Sequence, residues 1–192
     1  MTASKKMGFS LIELMVGLTI GLIILVGVAH LFSSGLQSNL TGAREQQFEH
    51  GLRILAYDLT TTIRRAGMAK PGVTLTPVTV SKYYEIPSTN TQCILFSHST
   101  ATSNEQFSGY RRNGNVIELY ISTIKHGSCD TTDTNGWTTV TDSSTTKITN
   151  FTFSGGPLIQ ITIEAESATL KLQDGTTPIK RTMTLSTLIR NA

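Results

Sequence analysis

The spacing of apolar and polar residues changes twice along this chain, and the first segment is the most apolar. Between residues 11 and 32 the only clearly polar side chains are Glu13, Thr19 and His30. As a helix that rises about 1.5 Å per residue, this segment spans roughly 30 Å, which matches the hydrocarbon core of a membrane. The pattern therefore predicts one membrane-spanning helix near the N-terminus.

Basic residues stand on only one side of this apolar segment. Lys5 and Lys6 precede it, and no Lys or Arg follows until Arg44. Under the positive-inside rule, this asymmetry keeps the N-terminus in the cytoplasm and sends the C-terminal part of the chain across the membrane.

The second segment, residues 33–70, has the spacing of an amphipathic helix. Apolar residues recur every three or four positions and form one stripe, made of Phe48, Leu52, Leu55, Leu59 and Ile63. Gly67 and the run Lys70-Pro71-Gly72 are typical of a helix end, so we expect the helix to continue to about Met68. Its apolar stripe is predicted to pack against the domain that follows.

After Pro71 the period shortens to two, and short apolar runs that alternate with Thr predict strands. These runs lie at residues 73–76, 93–96, 116–121, 148–153, 158–163 and 183–185. The runs Asn113-Gly114-Asn115, Gly155-Gly156-Pro157 and Asp174-Gly175 are typical turns between them. The predicted fold is α+β, with a long N-terminal helix packed on an antiparallel sheet.

Glu13 distinguishes three interpretations of the N-terminal segment. A cleaved secretory signal could exit at Gly27-Val28-Ala29, but an acid inside the apolar run is unusual for a signal and the run is long. A plain membrane anchor explains the length and leaves Glu13 without a role. A carboxylate at the centre of a membrane helix costs of order 2.5–3.5 kcal/mol, and less near an end, so the third interpretation gives it a partner.

That third interpretation rests on residues 8–14 (GFSLIEL), which resemble the cleavage and methylation motif of type IV prepilins and type II secretion pseudopilins. The resemblance implies that a prepilin peptidase cuts between Gly8 and Phe9 and methylates the amine of Phe9. Glu13 would then be the fifth residue of the mature chain. Positions 9 and 13 are one helical turn apart, so amine and carboxylate share a face. In the family this glutamate meets the terminal amine of a neighbouring subunit during assembly.

Later residues resemble the PilW type of minor pilin and the family called prepilin-peptidase-dependent protein B. The matching stretches are residues 52–68 (LRILAYDLTTTIRRAGM), 107–111 (FSGYR), 116–118 (VIE), 128–129 (SC) and 136–137 (GW). The helix-breaking proline that major pilins usually carry in the apolar segment is missing, because that region contains Gly27-Val28-Ala29-His30. This departure argues against the major subunit of a long filament.

The two cysteines, Cys93 and Cys129, both lie beyond the membrane segment. In an oxidising periplasm an even pair predicts a disulfide. A metal site is the alternative, but the histidines nearest in sequence, His98 and His126, do not have a ligand spacing.

One acidic loop offers several oxygen ligands before a glycine, as calcium loops do. Asp130, Asp133 and Asn135 are its candidate ligands, although the later glutamate of an EF-hand is missing. No sequence motif for a catalytic nucleophile, a phosphate loop or a zinc enzyme is present, so we predict neither an enzyme nor a cofactor.

Charge and composition limit the classes of partner that the chain is expected to bind. The formal net charge is +3, and Lys5 and Lys6 in the leader supply two of those charges. The basic doublets Arg64-Arg65, Arg111-Arg112 and Lys180-Arg181 are scattered and are predicted to be solvent-exposed. Nucleic acid is therefore disfavoured as a partner, because its recognition needs a basic stripe interleaved with aromatic residues.

The resemblance divides the chain into a leader (1–8), a transmembrane and assembly helix (9–32), an amphipathic helix (33–70) and a periplasmic β-rich domain (71–192). It implies a minor type IV pilin of the priming or tip complex, made in the bacterial inner membrane and then built into the pilus. Prepilin peptidase and other minor and major pilins are the implied partners. A GspJ-like minor pseudopilin of a type II secretion system is the alternative, and a tip adhesin or DNA-uptake module is the next.

Overall fold

The computed structural model describes residues 10–79, 82–102, 104–125, 129–172 and 175–189, apart from the side chains at positions 37 and 38. The chain consists of two compact units, residues 1–45 and residues 46–192. One α-helix and eight β-strands are assigned within the described residues. This is the α+β arrangement that the sequence predicts and that the resemblance to type IV pilins implies.

Helix α1 runs without interruption from Leu11 to Ile63 (Leu11–Ile63). It ends earlier than the predicted position near Met68, because residues 64–67 form turns instead. Gly67 has a φ of 74°, a left-handed conformation that glycine adopts without strain. The Gly67 N–H donates to the Ser97 carbonyl at 2.8 Å, so the chain leaves the helix along the neighbouring strand.

Five strands form the first sheet in sequential, antiparallel order. They are β1 (Tyr84–Glu85), β2 (Cys93–His98), β3 (Gln106–Asn113), β4 (Val116–Ser122) and β5 (Trp137–Thr139). Asn113 pairs with Val116, so β3 and β4 are joined by the tight turn that the sequence predicts. Gly114 in that turn has a φ of 58°, which the turn type requires.

Three longer strands form the second sheet, in the order β6 (Thr146–Gly155), β7 (Leu158–Lys171) and β8 (Pro178–Leu188). Both pairs are antiparallel, and each has one register shift, between Ile148 and Asn150 in the β6–β7 pair and between Glu166 and Lys171 in the β7–β8 pair. Gly155 closes the β6–β7 turn with a φ of 100°.

The stripe predicted on the second part of α1 is buried. Its members are Phe48, Leu52, Leu55, Leu59 and Ile63, each at most 8% exposed. They belong to one core that includes Ile94, Phe96, Tyr110 and Ile117 of the first sheet and Phe151, Ile159, Ile161 and Ile163 of the second. Within residues 46–192, this part of the helix therefore holds both sheets through one apolar core.

The first sheet also has a second apolar cluster, which contains Cys93, Leu95, Phe107, Tyr120, Val78 and Cys129, with Trp137 packed against it. Successive residues of a strand point to opposite faces. Ile94 and Phe96 face the main core while Cys93 and Leu95 face this cluster, so all six residues of β2 are buried.

The strand predictions are partly correct. Runs 93–96, 116–121, 148–153, 158–163 and 183–185 lie inside β2, β4, β6, β7 and β8. The prediction of a strand at 73–76 is wrong, because Thr76 bonds to side chains rather than to a strand. Its N–H and hydroxyl donate to the Glu105 carboxylate, and its carbonyl accepts from the Ser97 hydroxyl.

Candidate functional site

Two features follow from the sequence-based predictions: the start of α1 with Glu13, and the loop between β4 and β5 that follows Cys129. Gly8 and Phe9, the predicted processing site, lie outside the described residues. They are therefore sequence-based candidates alone.

Glu13 lies in the first turn of α1. Its carboxylate Oε2 accepts a hydrogen bond from the Ser10 backbone N–H at 3.1 Å. Backbone N–H groups at a helix N-terminus have no intrahelical acceptor, and a glutamate three residues into the helix satisfies one of them. The partial positive charge of the helix N-terminus also stabilises a carboxylate there. Glu13 thus has a local structural role besides the assembly role that the resemblance implies.

The apolar part of α1 is exposed on every side. Its large apolar residues between positions 11 and 32 are 51–78% exposed. By length and composition, this helix is a candidate membrane span. Thr19 does not interrupt it, because its hydroxyl donates to the Val16 carbonyl at 2.9 Å. An apolar helix surface of this extent is stable in lipid or against other apolar helices, and not in water.

Cys93 on β2 and Cys129 form a disulfide, with their Cα atoms 6.0 Å apart. The Asn90 side-chain amide donates to the Cys129 carbonyl at 3.3 Å. These two contacts hold the start of the loop against the first sheet. The end of the loop enters β5, where Trp137 pairs with Tyr120 of β4.

Arg111 on β3 holds the middle of this loop. Its Nε donates to Glu118 at 2.6 Å, and its Nη2 donates to the Asp133 carbonyl at 2.7 Å. Its Nη1 donates to the Asp130 carbonyl. The guanidinium carbon lies 4.1 Å from the centre of the Trp137 ring, which is a cation–π contact.

The prediction that the Arg111-Arg112 doublet is solvent-exposed is wrong for Arg111, whose side chain is fully buried. The reason is long-range: Glu118 on the neighbouring strand supplies a counter-charge, and the loop supplies carbonyl acceptors. An arginine with these partners satisfies its charge and most of its donors without water. The alternation of β3 alone does not reveal this, since the acceptors lie about twenty residues further along the chain.

The calcium candidates lie in two side-chain-to-backbone turns. A carboxylate oxygen of Asp130 accepts from the Thr132 N–H at 3.0 Å, and one of Asp133 accepts from the Asn135 N–H at 3.0 Å. The hydrogen bonds from Thr132 lower the pKa of Asp130. Such turns satisfy the carboxylates locally.

Arg111 also decides what this loop can bind. Two loop carbonyls that would ligate a cation, those of Asp130 and Asp133, already accept hydrogen bonds from the positively charged guanidinium. Among the described residues, no group of three or more His, Cys, Asp or Glu is placed to hold a metal ion. The geometry is that of a loop held by an arginine.

His98, at the end of β2, is the most buried histidine of the described part and is only 3% exposed. Its ring lies 5.8 Å from that of Phe96, and no described residue makes a hydrogen bond with its Nδ1. Burial, and then the positive charge of Arg65, lower the pKa of His98. The residue is therefore held in its neutral form over more of the pH range than a free histidine.

Comparison with protein families agrees with these features. The family model described as prepilin peptidase-dependent protein B matches residues 41–189, and the prokaryotic N-terminal methylation motif matches residues 4–29. No curated protein and no solved structure matches the chain. The matched families contain structural pilin-type proteins that prepilin peptidase processes, and the apolar helix with this motif supports membrane anchoring. The chain belongs to the prepilin peptidase-dependent protein B family.

Proposed function

We propose that this chain is a minor type IV pilin, a structural subunit of the priming or tip complex from which a pilus grows. The observation that carries the proposal is the exposed apolar part of α1, residues 11–32, whose first turn contains Glu13 and which is joined to a separately compact α+β unit. The helix suits insertion among other apolar helices, and the compact unit suits contacts outside the membrane.

Maturation would begin at the leader. Prepilin peptidase would cut after Gly8, remove Lys5 and Lys6 with the leader, and methylate the amine of Phe9. Before this step the chain would span the inner membrane once, with residues 71–192 in the periplasm. After it, the mature chain would start with an apolar residue one turn before Glu13.

Glu13 would then register the subunit in the assembly. A carboxylate in an apolar surrounding stays charged only when a cationic group is near it. The terminal amine of a neighbouring mature subunit is such a group, and a pairing at one helical position would fix the stagger between two helices. The hydrogen bond from Ser10 orients the carboxylate at the start of the helix and supports this role.

The partners would be other minor and major pilins. The proposal requires that residues 46–192 keep a fixed surface while the helix enters the filament. The disulfide, the buried Arg111 and the shared core of the two sheets support that requirement.

The decisive experiment is intact mass and N-terminal sequencing of the full chain, expressed with and without a prepilin peptidase. The expected product begins at N-methylated Phe9 and disappears when the peptidase is omitted. A chain that begins at His30, or one that keeps Met1 in the presence of the peptidase, would contradict the proposal.

A deletion of the gene in its host separates the minor pilin from the pseudopilin of a type II secretion system. We expect the number of surface pili to fall and the secretion of folded exoproteins to continue. Normal piliation combined with lost secretion would assign the chain to the secretion system instead.

A further inference from the structure

The edges of the two sheets differ in how they are protected. A strand at the edge of a sheet exposes unpaired N–H and C=O groups, which proteins usually cover or keep short. In the first sheet the edge strands are β1 and β5, which have two and three residues. In the second sheet both edge strands are long, with ten residues in β6 and eleven in β8.

The edge of β6 is covered by loops of the first sheet. The Phe153 N–H donates to the Thr91 carbonyl at 2.8 Å, and the Ile148 N–H donates to the Asn115 carbonyl at 2.9 Å. The Ile148 carbonyl accepts from the Arg112 guanidinium at 3.2 Å. This edge also carries the register shift near Ile148, which further disfavours pairing with another strand.

Among the residues that the structure describes, no loop covers the backbone edge of β8 in this way, and Thr187 contacts α1 through its side chain, whose hydroxyl donates to the Thr60 carbonyl at 3.3 Å. Residues 182–188 form a continuous ladder with β7, and no backbone hydrogen bond of theirs outside that ladder is present in the described part of the chain. Because antiparallel pairs bond at alternate positions, every second residue of this stretch directs its N–H and C=O away from β7. We call residues 182–188 the open edge.

The sequence of the open edge is also unprotected. It is TMTLSTL, which contains no charged residue, proline or glycine. Natural edge strands usually carry such residues, because an uncharged, β-prone stretch pairs readily with other chains. The only charges on β8, Lys180 and Arg181, stand before this stretch. By composition, the open edge is therefore suited to pairing with another strand.

A cavity of about 140 Å³ lies beside the open edge. Glu49, Leu52 and Arg53 of α1 line one side, and Arg181, Thr182 and Met183 of β8 line the other. Met183 and Leu185 are only partly buried and pack against the main core. A cavity of this size accommodates about one ring-sized apolar group, so a strand added to β8 could place one apolar side chain there and extend the core.

We infer that the open edge receives an extended segment of another pilin-type subunit, which adds a fourth strand to the second sheet. The segment would alternate apolar residues, on the side of Met183 and Leu185, with polar residues, on the side of Thr182 and Thr184. The identity of the partner rests on the proposed function, since it assumes that the chain assembles with other pilins.

Charge argues for a different subunit rather than a second copy. Arg181 pairs with Glu49 at 2.6 Å and Lys180 pairs with Glu166 at 3.4 Å. Arg53, which also lines the cavity, is exposed and would favour an acidic residue on the incoming strand. The β8 strand of a second copy contains no acidic residue that could meet Arg53. A subunit with an acid beside its apolar strand is complementary.

The test uses the full-length chain in detergent, co-expressed pairwise with each other pilin-type protein of the same host. Hydrogen exchange read by mass spectrometry follows the amides of residues 182–188 with and without each partner. One partner is expected to slow exchange there by about tenfold or more, because free-edge amides become hydrogen-bonded.

Two threonine variants separate the edge from the face of the sheet. Thr184→Lys places a charge on the open edge, and Thr162→Lys places the same charge on the same face of the central strand, directly opposite Thr184 in the register. We expect Thr184→Lys to weaken the complex by about tenfold or more and Thr162→Lys to change it by less than about twofold. Thermal unfolding of each variant without partner checks that both remain folded.

Four results would overturn the inference. They are unchanged exchange at residues 182–188 in a complex that does form, equal weakening by both variants, protection of the open edge in a homodimer of this chain alone, and no binding by any pilin-type protein.

The proposed function is judged separately. If gene deletion abolishes pili while Thr184→Lys restores them as well as the unaltered gene, only the inference about β8 fails. If deletion leaves pili intact, the proposed function fails.

Discussion

Arg111 and Glu118 face each other across the β3–β4 ladder, and the Arg111 Nε donates a 2.6 Å hydrogen bond to the Glu118 Oε2. The arginine side chain is fully buried, and the glutamate side chain is 13% exposed. Asn113 donates to the other oxygen of Glu118 at 3.0 Å. Nη1 and Nη2 of Arg111 donate to the Asp130 and Asp133 carbonyls of the β4–β5 loop, so this arginine joins two strands to the loop that follows Cys129.

We predict that Glu118→Ala lowers the free energy of unfolding by about 3–5 kcal/mol, because it leaves the buried guanidinium of Arg111 without a counter-charge. Urea unfolding of the full-length protein in detergent measures the loss. Glu164→Ala is the matched control, since Glu164 is also a strand residue whose carboxylate accepts a side-chain amide bond, from Asn150 at 3.3 Å. The control should lose only about 0.5–1.5 kcal/mol. Equal losses would contradict a special role for Arg111.

The disulfide is predicted to contribute about 3–4 kcal/mol to stability, because it closes a loop between residues 36 positions apart. Reduction should lower the urea midpoint of the native protein and leave that of a Cys93→Ala/Cys129→Ala variant unchanged. A midpoint that does not respond to reductant in the native protein would contradict this contribution.

Reduction should also change the fluorescence of Trp137, the single tryptophan of the chain. Its ring packs on Arg111 and lies 5.4 Å, centre to centre, from the ring of Tyr120. Freeing the start of the loop at Cys129 would loosen this packing and expose the indole to water. We expect a red shift of the emission maximum before global unfolding. An unchanged maximum would mean that Trp137 keeps its packing after reduction and would contradict this prediction.

His98 is predicted to make stability depend on pH below neutrality. In the unfolded chain it titrates near its usual pKa of 6.5, whereas in the folded chain burial, and then Arg65, hold the pKa lower. Between these two values the unfolded chain binds more protons, so the free energy of unfolding rises with pH. The stabilisation is complete above about pH 6.5 and is lost as the pH falls toward the lowered pKa.

The slope of this loss should reach at most about 1.4 kcal/mol per pH unit. His98→Phe, which keeps a ring beside Phe96, should flatten the pH dependence of the free energy of unfolding below about pH 6.5. Asp130 and Asp142 do not interfere, because hydrogen bonds from Thr132 and Ser144 lower their pKa values from 3.8 and they act only at more acidic pH. An unchanged slope in His98→Phe would assign the dependence to another group.

Two variants of Glu13 separate its capping role from its charge. Glu13→Gln keeps an oxygen that can accept the Ser10 N–H, and Glu13→Ala removes it. If the carboxylate pairs with a neighbouring amine, both variants should be processed by the peptidase and both should be missing from sheared pili. If Glu13→Gln enters pili as well as the native chain, capping alone accounts for the residue. Immunoblots of membrane and pilus fractions measure the two outcomes.

Local patterns predicted the elements whose residues interact mainly with near neighbours. The apolar stripe from Phe48 to Ile63 was predictable because a helix buries one face at a spacing of three or four residues. The β3–β4 hairpin was predictable because its turn needs a glycine, Gly114, at positive φ. The strand predicted at residues 73–76 failed because alternation describes a half-buried segment and does not identify its hydrogen-bond partners. Thr76 found those partners in Glu105 and Ser97.

Arg111 could not be placed from its own surroundings in the sequence. The doublet Arg111-Arg112 has the composition of a solvent-exposed pair, and only the register of β3 against β4 brings Glu118 opposite Arg111. The disulfide between Cys93 and Cys129 holds the loop whose Asp130 and Asp133 carbonyls accept hydrogen bonds from Arg111. Burial of a charge depends on partners that are distant along the chain, and local periodicity does not contain them.

The sequence by itself determined the apolar helix, the position of Glu13 in its first turn, the amphipathic continuation and the β-rich remainder, because these depend on periodicities within a few residues. Only the tertiary structure decided that the strands of the described residues divide into two sheets of five and three, and that β8 lies at an edge. A strand carries the same alternation whether it lies at the centre or at the edge of a sheet. The difference is a pairing with chain far away in sequence, and that pairing decides which backbone groups remain open to a partner.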